Sequence, residues 1–130
     1  MPDPCKTVMG GVVYGTYDDG NRTVSRIVRS RDELMPLICQ TWTTRYVVEA
    51  DVQLFTSFDQ PAVLPKQNSH SSDLSSNSCD GLKGAVIYGI DSNGNVIVTM
   101  VANSLDEVML LICEIWTTSR SVIVGVQFYV

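Results

Sequence analysis

The sequence predicts an α+β fold in which two helices pack on antiparallel sheet around an approximate two-fold axis. Three observations support this prediction. The chain of 130 residues repeats itself once, each copy has the pattern of a β-β-α-β unit, and the hydrophobic content of 45% suits one ordinary globular domain. A unit of about 50 residues has a thin core. We therefore expect the two copies to share one core and form one compact domain.

The repeat appears at an offset of 74 residues and needs no gap. From Cys5 to Thr56, 21 of 52 positions are identical to their counterparts. Identical runs include Leu-Ile-Cys at 37–39 and 111–113, and Trp-Thr-Thr at 42–44 and 116–118. Self-similarity at a fixed offset indicates an internal duplication.

The repeat divides the chain into three parts. The first repeat covers 1–56 and the second covers 79–130. Between them, residues 57–78 are rich in Ser and Asn and poor in apolar side chains. Such a segment buries too little apolar surface to compensate for the conformational entropy that it would lose on ordering, so we predict a flexible linker.

Each repeat opens with two predicted strands joined by a tight turn. The first strand lies at about 11–17 or 85–91, and the second at about 22–28 or 95–102. The intervening segments, Asp-Asp-Gly-Asn and Ser-Asn-Gly-Asn, supply the positive φ angles that a hairpin needs.

An amphipathic helix follows in each repeat. Ser30 with Glu33, and Ser104 with Glu107, predict capping boxes at the two helix starts. Pro36 should bend the first helix slightly. Apolar residues then recur at helical spacing on one face. They are Leu34, Leu37, Ile38 and Trp42 in the first repeat, and Val108, Leu111, Ile112, Ile115 and Trp116 in the second.

The third strand of the first repeat alternates between apolar and polar residues. Val48, Ala50, Val52 and Leu54 point to one face, and Glu49, Asp51 and Gln53 to the other. A right-handed crossover places this strand beside the first strand of its own repeat, antiparallel to it.

The two repeats differ in charge. The first has six Lys and Arg with seven Asp and Glu, and the second has two and five. Glu49 and Asp51 correspond to Ile123 and Gly125, so the third strand of the second repeat is apolar on nearly both faces. Such a strand is either central in a sheet or buried against another chain. The predicted homo-oligomer interface consists of Val122, Ile123, Val124, Val126, Phe128 and Tyr129.

A local group of arginines favours a second kind of site. Arg22 and Arg26 are expected to share a strand face, and Arg29 and Arg31 approach a helix start. Together they suit a phosphate or carboxylate group. The alternative is that they solvate an exposed face or protect a sheet edge.

The duplicated Trp-Thr-Thr segment allows two interpretations. Trp42 and Trp116 extend the apolar helix face, which indicates core packing. Alternatively, each Trp forms a small-ligand pocket with the tyrosine of its repeat, Tyr14 or Tyr88.

The four cysteines leave three possibilities open: reduced core side chains, disulfides within each repeat (Cys5–Cys39 and Cys79–Cys113), or a metal site. The absence of Cys-x-x-C and the single His disfavour zinc, so we predict no metal and no cofactor. The first residues carry no secretory signal pattern and no apolar run is long enough to span a bilayer. We therefore expect a cytoplasmic protein without membrane contact.

The sequence contains no catalytic constellation that we recognise. His70 lies in the predicted linker, and the pairs Asp32-Glu33 and Asp106-Glu107 are explained as helix caps. The acidic balance makes nucleic acid an improbable partner. The leading hypothesis is a non-enzymatic interaction module, of inhibitor, immunity or adaptor type, acting as a homo-oligomer. The alternative is a binder of a nucleotide-like or other anionic small molecule.

Overall fold

The computed structural model describes residues 4–56 and 79–129, here called the first half and the second half. Within these residues, six antiparallel strands form one sheet and two helices pack on it, which confirms the α+β prediction. The predicted linker at 57–78 lies outside the described residues. The elements are β1 (Val8–Tyr17), β2 (Arg26–Val28), α1 (Leu34–Trp42), β3 (Val47–Thr56), β4 (Gly84–Ile90), β5 (Val96–Ala102), α2 (Leu105–Thr118) and β6 (Ile123–Tyr129).

The strands follow the order β2-β1-β3-β6-β4-β5. The third strand of each half pairs antiparallel with the first strand of the same half, as the crossover argument predicted. The two halves join at the centre of the sheet, where β3 pairs with β6. Asp51 lies opposite Gly125 in the middle of this junction.

Both predicted hairpin turns are present. Gly20 and Gly94 adopt φ angles of +89° and +84°, which glycine reaches without strain. Asp91 stabilises the second turn because its carboxylate accepts hydrogen bonds from the backbone N–H groups of Asn93 and Asn95, both at 2.9 Å.

Each helix start has one capping hydrogen bond, whereas the predicted capping box has two. Ser30 accepts a hydrogen bond from the backbone N–H of Asp32 at 3.2 Å, where a 3-10 turn (Arg31–Glu33) precedes α1. The Ser104 side chain makes no cap at α2. Instead, Glu107 accepts from the backbone N–H of Asn103 at 3.2 Å.

The core lies between the two helices and the sheet, and both halves contribute to it. Leu37 and Ile38 of α1 and Ile112 of α2 are fully buried there, as the helical spacing predicted. From the sheet, Val13 and Val52 complete the same cluster. One continuous core therefore holds both halves together, as expected for units too small to fold alone.

β6 occupies a central position between β3 and β4. Its side chains Val124, Val126 and Phe128 are buried in the core of this chain, so they are not available to a second chain. The sequence predicted these three residues as part of an interface, whereas in the structure they belong to the core. Val122 and Tyr129 are exposed and Ile123 is half-buried, and for these three the interface stays a prediction.

All four cysteines form disulfides, and each bond joins one half to the other. Cys5 bonds Cys113 and Cys39 bonds Cys79, with Cα–Cα distances of 5.2 and 5.1 Å. Of the possibilities that the sequence left open, reduced core cysteines are therefore wrong, and disulfides within each repeat are wrong as well. The physical reason is that the halves lie side by side, so the cysteine before the first strand of one half meets the helix of the other.

In the described part of the chain, no helix is long and apolar enough to cross a membrane. Two disulfides are typical of proteins from oxidising compartments. They do not support the cytoplasmic location that the first residues suggested.

Candidate functional site

The face of the sheet opposite the helices, here called the outer face, carries the polar side chains of the central strands. Val13 and Val52 lie on the helix side. Because side chains alternate along a strand, Tyr14 and Thr16 of β1 point to the outer face. Glu49 and Asp51 of β3 lie directly opposite Thr16 and Tyr14, on the same face.

An acidic group on this face consists of Thr16, Glu49 and Asp51. The Thr16 hydroxyl donates a hydrogen bond to the Asp51 carboxylate at 2.5 Å, and the negative charge of Asp51 acts on the neighbouring Glu49 carboxyl. Asp51 is only 2% exposed, and Glu49 is half-buried. A negative charge close to a partly buried carboxyl favours the protonated form of that carboxyl.

The Glu49 carboxyl keeps its proton to a higher pH than an ordinary glutamate does. Burial raises its pKa to about 8, with further contributions from the hydrogen bond to Asp51 and from the negative charge of Asp51. The positive charge of Arg22 opposes the shift in part. At neutral pH, Glu49 is therefore mainly protonated.

Tyr14 borders the acidic group and is almost completely buried, with 4% of its surface exposed. Its phenol oxygen has no hydrogen-bond partner. Burial, followed by the charge of Asp51, raises the pKa of Tyr14. The guanidinium of Arg22 lies 5.0 Å from the centre of the Tyr14 ring, a cation–π distance.

The matching position in the second half has no carboxylate. Gly125 takes the place of Asp51, opposite Tyr88 of β4. The Tyr88 ring fills the space above this glycine, since a Cβ added to Gly125 would lie 2.5 Å from Tyr88 Cε2. Gln127 donates to the Tyr88 phenol oxygen at 3.4 Å.

The predicted arginine group is divided between two sides of the sheet. Arg22 lies over the Tyr14 ring on the outer face, whereas Arg26 donates to Gln40 of α1 at 3.1 Å, on the helix side. The expectation that they share a face is therefore wrong. The reason is that residues 23–25 form no regular strand, so the alternation of side chains does not extend from Arg22 to β2.

The remaining two arginines lie apart from both. Arg31 donates to the backbone carbonyl of Cys5 at 2.9 Å, beside the helices, and Arg29 is exposed after β2. The four arginines do not converge on one place, so the anion site predicted from them stays a prediction without a supporting contact.

The tryptophans lie on the helix side. Trp42 packs against the core, with its ring centre 5.9 Å from that of Phe128, and Trp116 packs against the same core. Tyr14 and Tyr88 are on the outer face, so the pockets that would join each Trp to its tyrosine do not form. Core packing is the interpretation that agrees with the structure.

The two edge strands of the sheet, β2 and β5, differ in length and in charge. β2 has three residues, and arginines stand near it at positions 22, 26 and 29. β5 has seven residues, Val-Ile-Val-Thr-Met-Val-Ala, with no charge and no proline. Val96, Ile97 and Val101 of β5 are 56%, 44% and 55% exposed.

The exposed side chains of β5 extend an apolar surface on the outer face. Val101 lies opposite Val86 and Thr99 opposite Tyr88, both on this face. The pairing register shifts between Gly89 and Ile90 of β4, and this shift brings Val96 opposite Ile90.

Two shallow cavities lie elsewhere. One, of about 300 Å³, is lined by Arg31, Met35 and Met109 between the helix starts, and the other, of about 240 Å³, contains Arg26 and Gln40. Residues 4–56 and 79–129 contain no cluster of three or more His, Cys, Asp or Glu side chains suited to a metal ion.

Comparisons with protein-family models, with curated proteins and with solved structures found no match. A function for this chain therefore has to be argued from its own contacts. The sequence reasoning missed the Glu49–Asp51 pair as a site. A signal was present, because two acids spaced by two on a strand share a face, and the second repeat has Ile123 and Gly125 there.

Proposed function

We propose that this chain is a non-enzymatic protein-interaction module that acts as a homo-oligomer, with β5 pairing to β5 of a second copy. The observation that carries this proposal is the chemistry of β5. It is a terminal strand of seven residues without charge, and three of its apolar side chains are strongly exposed.

A terminal strand has backbone N–H and C=O groups that no neighbouring strand satisfies, and these groups can pair with another chain. Proteins usually prevent such pairing by keeping edge strands short or charged. β2 follows this pattern, because it has three residues and arginines around it. β5 is neither short nor charged, and this difference supports pairing at β5 rather than at β2.

A second copy suits β5 because the strand is self-complementary. In an antiparallel pair centred on Thr99, Ile97 of each copy faces Val101 of the other. Both side chains are exposed in the single chain, and neither brings a charge to the contact. Pairing in this way extends the sheet of six strands into one of twelve and covers apolar surface on the outer face.

Light scattering coupled to size-exclusion chromatography tests the proposal. We expect the wild-type protein to elute as a dimer and V101K to elute as a monomer, because each new lysine places a positive charge against the apolar Ile97 of the other copy. T99C should form a disulfide-linked dimer under mild oxidation. Residues directly opposite in antiparallel strands lie about 4.5–5.5 Å apart, within the disulfide range.

Val24 provides the matched control, because it is 83% exposed beside the other edge of the sheet. V24K should leave the dimer intact, and V24C should not cross-link. A wild-type monomer at all concentrations contradicts the proposal. A dimer that V24K dissociates and V101K leaves unchanged contradicts the choice of edge.

We also propose that the fold is a tandem duplication with a pseudo-two-fold axis at the centre of the sheet. The pairing registers support this. Tyr14 lies opposite Asp51 in the first half, and their counterparts at an offset of 74, Tyr88 and Gly125, lie opposite each other in the second. Asp51 itself pairs with its counterpart Gly125. The two disulfides are counterparts as well.

A further inference from the structure

We propose that the cavity beside Arg26, here called the Arg26 cavity, binds a small oxyanion, either a phosphate or a carboxylate group. The cavity has a volume of about 240 Å³ and lies between the end of β1, residues 23–26 and the last turn of α1. Pockets for drug-sized ligands measure about 300–1,000 Å³, so this cavity suits a smaller group. All of its described lining residues belong to the first half, so the site is independent of β5.

The charge of the lining favours an anion. Arg26 is the single charged residue among the described lining residues, which include no Asp and no Glu. Its guanidinium is half-buried and donates to the Gln40 side chain at 3.1 Å. It has no carboxylate partner within residues 4–56 and 79–129. Because a guanidinium has several N–H donors in a planar fork, it can hold Gln40 and still bind an oxyanion.

Thr41 is the independent observation that indicates a ligand. It lines the cavity and is only 8% exposed, yet its hydroxyl has no hydrogen-bond partner within the described residues. Its methyl group lies toward the sheet, since a Cβ added to Gly15 would be 3.1 Å from Thr41 Cγ2. The Thr41 oxygen is not fully enclosed, and the open space beside it is the cavity. Buried hydroxyls are nearly always paired, and an oxyanion in the cavity would accept this hydrogen bond.

The equivalent space in the second half is filled by apolar side chains. Val98 and Ile115 meet there, because a Cβ added to Gly89 would lie 2.9 Å from an atom of each. The counterpart of Val98 in the first half is Val24, which is 83% exposed instead. Residues 23–25 form no regular strand, so the Val24 side chain does not fill the space and a cavity remains.

The lining residues differ between the halves in the same sense. At the offset of 74, the polar residues Arg26, Gln40 and Thr41 correspond to Met100, Glu114 and Ile115. Met100 packs against the core and Ile115 is 1% exposed, so the shared frame accepts apolar side chains at these places. Core packing therefore does not account for a guanidinium and a hydroxyl at this cavity, whereas an anionic ligand does.

Two features predict weak binding. A single guanidinium supplies the charge, and the cavity borders the last turn of α1, whose carbonyl groups carry partial negative charge. The hydroxyls of Thr43 and Thr44 reduce the second effect, because both donate to the Gln40 carbonyl, at 3.0 and 3.1 Å. We therefore expect a dissociation constant in the millimolar range.

The test is titration of the full, disulfide-bonded protein at pH 7 with sodium phosphate and, separately, with sodium acetate, each against sodium chloride of equal ionic strength. Nitrogen–proton NMR spectra report on the side-chain N–H of Arg26 and on the backbone N–H groups of Gln40 and Thr41. We expect saturable shifts of these signals with at least one of the two anions. Saturation by phosphate alone indicates a tetrahedral ligand, and saturation by acetate alone indicates a carboxylate.

R26Q and R29Q form a matched pair of variants. Each removes one positive charge, and Arg29 is exposed and outside the described lining. R26Q should weaken binding by about tenfold or more, because it removes hydrogen bonds from a charged donor. R26K keeps the charge and should retain part of the binding. R29Q should bind as the wild type does, and circular dichroism confirms that each variant is folded.

Thr41 provides a second pair. T41V removes the hydroxyl and keeps the shape of the side chain, so we expect no loss of stability without the anion. Binding should become about three- to tenfold weaker, the effect of one hydrogen bond. T41S keeps the hydroxyl and should keep the binding.

Three results overturn the proposal. The first is the absence of saturable shifts with both anions in the wild-type protein. The second is equal affinity in wild type and R26Q, which would indicate binding elsewhere. The third is a T41V variant that binds as tightly as the wild type. V101K should keep the anion response, so the outcome for this site is distinguishable from that of the β5 proposal.

Discussion

The two halves of this protein share their strand pairings but present different outer faces. In the first half, Ile27 and Phe55 are 2% and 6% exposed. Their counterparts in the second half, Val101 and Tyr129, are 55% and 38% exposed. The first half adds a partly buried acid pair and a short edge strand with arginines near it, and the second half has an uncharged edge strand.

The comparison of the two halves distinguishes residues of the core from residues of the outer face. The core cluster between the helices and the sheet contains apolar residues from both halves, because one core has to be filled from both sides. Residues of the outer face are under no such constraint. We assign function to places where the halves disagree, namely Val101 against Ile27 on the outer face and Arg26 against Met100 beside α1.

The largest effects should come from the disulfides, which tie the halves together. We expect the paired substitutions Cys5→Ser with Cys113→Ser, and Cys39→Ser with Cys79→Ser, each to lower the free energy of unfolding by roughly 2–5 kcal/mol. The first pair should cost more, by about 1 kcal/mol, because it closes a separation of 108 residues rather than 40. Urea denaturation measures both.

Peptide mapping without reduction provides the check on connectivity. It should recover Cys5 linked to Cys113 and Cys39 linked to Cys79. Recovery of Cys5 linked to Cys39 would show that the halves are not cross-linked to each other.

An intermediate effect should come from matched core truncations. Ile38 and Ile112 are counterparts at the offset of 74, and both are fully buried. We expect Ile38→Ala and Ile112→Ala each to cost about 3 kcal/mol of unfolding free energy, and to agree within about 1 kcal/mol. Chemical denaturation of both variants tests whether the halves contribute equally to the core.

Leu110 is the surface control for this pair, because it lies on α2 and is 46% exposed. Leu110→Ala should change the free energy by less than about 1 kcal/mol. Unequal losses of unfolding free energy for the two isoleucine variants would mean that the two halves contribute unequally to the core.

The smallest effect is a pH dependence that only the first half should show. Folded Glu49 keeps its proton to about pH 8, since burial and Asp51 raise its pKa from an ordinary value of 4.5. Between these values the folded state binds more protons than the unfolded state, so stability should fall as the pH rises. Melting temperatures should decrease from pH 5 to pH 9.

Glu49→Gln should flatten this decrease and leave a higher melting temperature than wild type at pH 9. Glu107→Gln, at an exposed position of α2, should keep the wild-type slope. An unchanged slope in Glu49→Gln would show that the acid pair does not hold the proton.

Local patterns in the sequence predicted much of the fold. The helical spacing that includes Ile38 and Ile112 identified the buried helix faces, and the alternation around Val52 identified both faces of β3. The turn residues around Gly20 and Gly94 identified the hairpins. These features depend on neighbours within a few residues, which a sequence displays directly.

The contacts between halves were not predictable in the same way. The pairing of Cys5 with Cys113 depends on β3 meeting β6 at the sheet centre, which the spacing of cysteines within one repeat does not reveal. The separation of Arg22 from Arg26 depends on where β2 begins. The acid pair was visible as two like residues on one face, but its burial and the raised pKa of Glu49 depend on the packing around it.

The disulfide connectivity also has a consequence for proteolysis. Both bonds join a cysteine before residue 57 to a cysteine after residue 78. A protease that cuts the chain anywhere between these positions therefore produces two polypeptides that remain one covalent molecule. The product would gain only the mass of water on intact-mass measurement, and it would separate into two fragments only after reduction.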